Sequence, residues 1–482
     1  MSKYCIWTPV DGAVFGLHGY TGGMVLVSQD LFESLTERGS LDLIRQRYQD
    51  EFDALWLRGF ITSLTPLEER EAVVEISRSL QARRRQLHFV IAPTFDCNFR
   101  CSYCFERELQ NDIDRRPNPL SQIDRATSDR PSADSGACFM GHGDKVSMSR
   151  DGVDAVFAGI DDLIEQSETK QWSRNITLFG GEPLWVSNLP VIERAVELGS
   201  SRGFRFSAVT NGYDVDRFMD VIGVDAIHSL NISVDGTRAI HDKQRFLTNG
   251  GGTFDRIVDN IDLVLRERPG VRVVVRFNFS RANFHDLRPL HELFGSRGFL
   301  QNPNFDLNAN IIYDKANGRK TLRSDRELLD IVLAQAPKTN VSLDCFNAGV
   351  AGRIVSAIRK REEFRFSGSY CAANAGMYIF APDGGLYKCW EDIGAARSLV
   401  GSYRERPVVL NGRDDQWKGR QLEGMAKCQS CRFALICSGG CAQHAHQQIG
   451  SMNDKYCDNF DKRYAVSVAK VGDEIRKLVV CA

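Results

Sequence analysis

The chain has 482 residues, 43% of them hydrophobic and 26% charged, with a formal net charge of −1. That length suffices for several domains and a sizeable core, and the near-neutral charge argues against nucleic acid or an anionic membrane as a bulk electrostatic partner. Met1 to Gly12 lacks the basic-then-apolar order of a signal peptide, and no apolar run approaches the roughly 20 residues of a membrane helix, so a cytoplasmic protein is expected.

Residues 1–82 read as a small N-terminal α+β module, the alternative being an extension packed on the main domain. Gly19 to Ser28 reads as a turn leading into a short strand, with Met24–Ser28 as an edge strand. Leu41, Ile44, Tyr48, Phe52 and Leu55 recur at steps of three and four, which predicts one helix face ending near Gly59. Thr65-Pro66-Leu67-Glu68 is a capping box with proline at the first helical position, so a second helix starts there.

From His88 the rhythm changes. Strand-like runs at His88–Thr94, Asn175–Phe179, Arg205–Val209, His228–Val234, Val271–Phe279 and Phe305–Ile312 alternate with helical stretches such as Val153–Ile164, Asp214–Ile222 and Phe254–Leu265. Strand–helix alternation implies a parallel sheet with right-handed crossovers and loops of function at the strand C-termini. Six units predict an α/β fold, a partial (β/α)6 barrel over residues 83–340. Glu106 to Arg150 interrupts it as a polar insertion without periodicity, either a lid or a disordered segment.

Of 14 cysteines, three lie at Cys97, Cys101 and Cys104, directly after the first of these strands. In a reducing compartment, clustered thiolates point to metal or redox chemistry rather than disulfides. The C-x3-C-x2-C spacing has no fourth cysteine nearby. Three thiolates can hold a 4Fe–4S cluster and leave one iron without a protein ligand. An open metal position suits catalysis; the alternative is a zinc site completed by a distant histidine.

Asp96-Cys97-Asn98-Phe99-Arg100-Cys101-Ser102-Tyr103-Cys104 resembles the signature of the radical S-adenosylmethionine (SAM) superfamily. The resemblance implies that the open iron binds the amino and carboxylate groups of the cofactor's methionine. One electron from the cluster then breaks the sulfonium, and a 5′-deoxyadenosyl radical takes a hydrogen atom from the substrate. Further matches follow in order at successive strand ends. Gly180-Gly181-Glu182-Pro183 resembles the family's GGEP motif for the cofactor's amino group. Thr210-Asn211-Gly212 falls where the family places ribose contacts. Ser233 of Ser233-Val234-Asp235-Gly236 and the nearby Arg245 match cofactor-contacting positions, and Tyr103 belongs to the cysteine motif itself. The resemblance covers about residues 88 to 312 and singles out no catalytic side chain beyond these.

A second group comprises Cys371, Cys389, Cys428, Cys431, Cys437, Cys441 and Cys457, and resembles the SPASM extension of radical enzymes that modify peptides and proteins. It implies a SPASM domain over residues 341–482 with two auxiliary 4Fe–4S clusters, three clusters in all. Cys428, Cys431, Cys437 and Cys457 would hold one auxiliary cluster, and Cys371, Cys389 and Cys441 the other. Related sulfatase-maturing enzymes have a further cysteine where Met377 stands here, so the inner cluster has either an open iron or an outside ligand. Cys345 is the nearest candidate for that ligand, against the plain reading of a small buried hydrophobe. Cys5, Cys138 and Cys481 read as incidental, and His444 and His446 as surface residues.

The resemblance leaves two enzyme classes and one non-catalytic reading. A maturase of ribosomally made peptides would install a thioether or carbon–carbon crosslink; a sulfatase-maturing enzyme would make formylglycine. A multi-cluster electron-transfer protein is disfavoured because the cofactor motifs are intact. Sulfatase-maturing relatives place a carboxylate directly after the cysteine matching Cys389, as proton acceptor. Here that residue is Trp390, with Glu391 and Asp392 further on. The N-terminal module adds to the preference for a peptide maturase, since small modules of this kind bind a leader as an added strand. The expected partners are a precursor peptide and an electron donor such as flavodoxin or ferredoxin.

Overall fold

The computed structural model describes residues 1–37, 40–83, 86–104, 106, 147–311, 349–457, 459–469 and 471–478. Most of the 106–150 insertion, together with Cys138, Cys345 and Cys481, lies outside the described residues. The chain forms two compact units, one of Met1–Arg84, Leu343–Cys371 and Arg420–Ala482, the other of Arg85–Ser342 and Ala372–Gly419. The divisions drawn from sequence at 82/83 and 340/341 therefore do not coincide with the units.

In the first unit, β1 (Cys5–Val10), β2 (Ala13–His18) and β3 (Met24–Ser28) form an antiparallel sheet in the order β1-β2-β3. Its two faces are apolar for different reasons. Val14 and Val27 meet Leu31, Phe52, Leu55 and Phe60. Tyr4, Phe15 and Leu17 share a core with Ile354, Phe364, Leu435, Tyr464 and Val468. Each such side chain contributes roughly 1.5–3 kcal/mol by leaving water, so residues 1–84 owe much of their core to the 350–366 and 422–475 segments. The helix expected from Leu41 to Leu55 is two, Leu41–Arg47 and Gln49–Leu57. Tyr48 leaves helical geometry at φ −134°, ψ 57°, and the break turns Phe52 and Leu55 into the core while Leu41 stays 40% exposed. The second helix closes in a Schellman pattern, Phe60 N–H to Leu55 O and Gly59 N–H to Trp56 O, with Gly59 at φ +86°. The capping box forms as expected: Thr65 N–H donates to Glu68 at 2.7 Å, and Glu68 N–H donates back to the Thr65 hydroxyl at 3.3 Å.

In the second unit, β4 (Leu87–Ile91), β5 (Trp172–Leu178), β6 (Arg205–Thr210), β7 (Ile227–Ser233), β8 (Arg272–Phe279) and β9 (Phe305–Ile311) run parallel in chain order. These are the six expected strands. Their crossover helices bury one stripe each; Phe254–Glu267 turns Ile257, Val258, Ile261 and Val264 inward. The stretch Asp214–Ile222 is a 3-10 turn over Val215–Val221 rather than an α-helix. Asp214 accepts from Val186 N–H at 3.1 Å instead of capping that first turn. The sheet also continues past β4: β10 (Met377–Phe380) pairs parallel to it, and β11 (Gly385–Tyr387), β12 (Leu399–Ser402) and β13 (Val409–Leu410) follow antiparallel, ten strands among the described residues. Met377, at the position of the missing cysteine, is a buried β10 residue paired with His88.

Candidate active site

The first cysteine group lies where β4 ends. The loop holding it is fixed from two sides. Arg100 N–H donates to Phe246 O, Ser102 N–H to Gln244 O, and Thr248 N–H to Asn98 O, which docks the loop on residues 244–248. On the other side lies the glycine pair after β5. Gly181 has φ +52°, and a Cβ there would overlap the carbonyl oxygen of Asp96. Only glycine allows that approach. Gly181 N–H donates to Glu106 at 2.8 Å and Glu182 N–H to Asp96 O at 2.9 Å.

Glu182 is buried, and its carboxylate accepts from the Leu184 and Asn211 backbone N–H groups and the Thr210 hydroxyl. Burial pushes its pKa up to about 7 against those donors. Asn211, at the end of β6, donates to Asn98 at 2.7 Å, which ties the β6 loop to the cysteine loop. Pro183 is buried beside it, and its carbonyl accepts from Asn188. Burial raises the Cys97 and Cys101 thiols, so they stay protonated until a metal centre displaces the protons.

Ser233 ends β7, half-buried and paired with Arg276 of β8. Next to it stands a buried network that sequence reasoning saw only in part. Arg245 Nη1 donates to the Tyr103 hydroxyl at 2.7 Å, and Tyr103 donates to Asp235. Asn278 N–H and Nδ2 donate to the other Asp235 oxygen at 3.0 and 3.1 Å. Arg245 is 8% exposed, and its Nε has no hydrogen-bond partner among the described residues. A buried guanidinium donor left over beside a three-thiol loop fits a cofactor carboxylate. Asn278 and Asn98 were missed from sequence; for Asn278 the available signal was a polar residue one place before the end of an apolar strand.

In the first unit, Cys428 lies on the helix Ala426–Gln429, Cys437 ends Ala434–Cys437, and Cys441 caps Ala442–Ile449. Cys428, Cys431 and Cys437 are all within electrostatic reach of Cys457. Burial pushes the thiols of Cys428 and Cys437 up to about 11 and 12. Four thiols so grouped suit the ligand set of a closed cluster. Among the described residues no three Cys, His, Asp or Glu side chains converge as ligands of a single ion would; a cluster spreads its ligands more widely. Cys371 belongs to this unit, and Cys389, after β11, to the other. His444 corrects the surface expectation: it is fully buried, with its ring edge-on to Tyr456. Cys5 is a buried β1 thiol facing Phe60 O, pushed to about 12 and therefore inert.

A model of the Radical SAM superfamily matches residues 91–291. A cysteine-type anaerobic sulfatase-maturating enzyme of Clostridium novyi (strain NT) is 20% identical over 421 residues, 80% of this chain and 96% of the relative. The solved structure of native anSMEcpe with bound AdoMet and Cp18Cys peptide is 15% identical, with a TM-score of 0.54 over 81% of this chain and 98% of that one. This likeness is one of fold. Streptococcus suis SuiB bound to S-adenosylmethionine aligns over 93% of this chain and 99% of its own, but its TM-score of 0.47 is too low to bear on the reaction. The cysteine loop, the glycine pair and the buried arginine all fall within the matched residues, and the chain carries a Radical SAM domain over residues 91–291.

Proposed function

We propose that the enzyme is a peptide maturase that abstracts hydrogen from a residue of a ribosomally made precursor and forms an intramolecular thioether or carbon–carbon crosslink. Cys97, Cys101 and Cys104 would hold the catalytic 4Fe–4S cluster. Cys428, Cys431, Cys437 and Cys457 would hold one auxiliary cluster, and Cys371, Cys389 and Cys441 the other, in a SPASM domain over residues 341–482. When bound, the cluster and S-adenosylmethionine supply the hydrogen-abstracting radical. The protein's part is positioning: Arg245 offers its buried Nε to the cofactor carboxylate, and the glycine pair lets backbone approach the cofactor. Glu182, Asn211, Ser233 and Tyr103 shape the rest of that site.

The observation that carries the choice of reaction is Trp390. It occupies the place where a proton-accepting carboxylate would follow Cys389, and its ring stands edge-on to Phe179 at 4.6 Å. Asp392 does not substitute for that carboxylate, since it is 1% exposed and accepts from Ser398 at 2.9 Å. The peptide is proposed to dock on residues 1–82. There β3 forms one edge of its sheet, beside a small cleft lined by Met24, Leu26, Ala54, Leu55 and Arg58; an added strand fits such an edge. An acidic one-electron carrier such as flavodoxin or ferredoxin would serve as electron donor. Formylglycine synthesis is the second reading, favoured by the named activity of the Clostridium novyi relative. Mass spectrometry of precursor after turnover tests the choice: two hydrogens lost with a new crosslink, against cysteine converted to formylglycine.

A further inference from the structure

Arg420 is 4% exposed and donates four hydrogen bonds, every one to a backbone carbonyl. Nη1 reaches Ser438 O at 3.0 Å and Nη2 reaches Gly439 O at 2.9 Å. Nε reaches Met452 O at 2.6 Å and Nη2 also reaches Asp454 O at 2.9 Å. The first two carbonyls lie between Cys437 and Cys441, the last two just ahead of Cys457. The guanidinium thus bridges two segments that sequence keeps apart. The seam between them is tight. Ser438, Gly439 and Gly440 run left-handed at φ 49°, 81° and 79°. A Cβ on Gly440 would overlap Tyr456 O, and Tyr456 N–H donates to Gly439 O at 2.9 Å. Cys428, Cys437, Cys441 and Cys371 all lie within electrostatic reach of Arg420.

We infer that Arg420 is the positioning residue of the auxiliary cluster at Cys428, Cys431, Cys437 and Cys457: its four-way fork sets the register of the 437–441 and 452–457 segments so that Cys437 and Cys457 face one centre. This rests on the auxiliary-cluster assignment proposed above. Lysine keeps the charge but not the planar fork, so fork and charge are separable. A fixed positive charge beside a cluster also favours its reduced form and raises its potential.

The test uses the full chain, anaerobically reconstituted, as wild type, Arg420→Lys and Arg420→Ala, each with circular dichroism as a fold control. Iron is counted, and the reduced clusters are titrated by electron paramagnetic resonance. Both variants should lose about four irons per chain, one cluster's worth, while the signal of the cluster at Cys97, Cys101 and Cys104 persists. Methylguanidinium present during reconstitution should restore part of the loss in Arg420→Ala. Any auxiliary cluster retained in Arg420→Ala should titrate at a lower potential than in wild type. Folded variants with wild-type iron, signal and potential would overturn the inference. A wild-type chain with only about four irons would instead overturn the auxiliary-cluster reading on which it rests.

Discussion

Arg245 Nη1 donates to the hydroxyl of Tyr103 at 2.7 Å, although 142 residues separate them. The bond holds the cysteine loop against the segment that follows β7, and Asp235 secures both partners from beneath: it accepts from Tyr103 and faces Arg245 Nη1 at 3.8 Å. Replacing Asp235 by Asn removes the carboxylate that faces the guanidinium at 3.8 Å and leaves Arg245 without its paired charge. Removing one partner of a buried pair costs about 3–5 kcal/mol. Urea unfolding should show a loss of that order, with cofactor affinity of the reconstituted enzyme weakened ~10-fold or more. Tyr103→Phe should cost roughly 1–3 kcal/mol, for the donor it takes from Asp235. Asp235→Asn with wild-type stability and affinity would show that the carboxylate organises nothing.

A second buried network fixes the start of the chain. His18 Nε2 meets the Ser2 hydroxyl at 2.9 Å, Ser2 donates to Glu69, and the Thr21 hydroxyl lies 3.0 Å from His18 Nδ1. Burial lowers the His18 pKa to about 4. A histidine kept neutral in the folded state binds its proton more readily when unfolded, so its contribution is full above the unfolded value of about 6.5 and is lost as pH falls towards about 4. The change is on the order of 3 kcal/mol at most. Urea midpoints between pH 7 and 4.5 should fall less steeply in His18→Gln than in wild type; parallel slopes would remove His18 from the account.

Iron and sulfide analysis of the reconstituted chain should give about three 4Fe–4S clusters. Replacing Cys97, Cys101 and Cys104 together by Ala should abolish cofactor cleavage and leave roughly two clusters' worth of iron. About four irons in the unmodified chain would contradict the assignment of the seven later cysteines.

Removing residues 1–82 would strip Tyr4, Phe15, Leu17 and Val73 from a core completed by Leu435, Tyr464 and Val468. A point change therefore tests peptide docking better than truncation. Ala54 lines the small cleft beside β3. Ala54→Trp should place bulk beside the β3 edge and weaken precursor binding ~10-fold or more, with cofactor cleavage in the absence of peptide retained. Unchanged precursor affinity by calorimetry would place peptide recognition elsewhere.

The parallel strands were legible because each is a short apolar run between amphipathic helices, and burial on both faces requires that pattern. The capping box and Gly59 were legible because their geometry is local. What sequence could not supply depended on partners far along the chain. Nothing in Met377–Phe380 says that it will pair with β4 rather than begin a separate sheet. Nothing in Arg420 marks the four carbonyls it holds, which follow it by 18 to 34 residues. Asn278 and Asp235 become readable as a pair only once β7 and β8 lie side by side. His444 reads as a polar surface residue until its helix is docked with that face inward.

The central claim concerns the bond that is made. Hydrogen abstraction leaves a carbon radical, and closing a bond to a neighbouring side chain releases one further electron and a proton, which an auxiliary cluster and the solvent would take up. The most direct measurement is tandem mass spectrometry of a precursor peptide encoded beside this gene, incubated with reconstituted enzyme, S-adenosylmethionine and reductant. The account predicts a product two hydrogens lighter, with fragmentation suppressed between the joined residues. A cysteine newly resistant to alkylation would identify a thioether, and fully alkylatable cysteines a carbon–carbon link. An unmodified precursor, alongside a sulfatase peptide converted from cysteine to formylglycine by the same preparation, would contradict it.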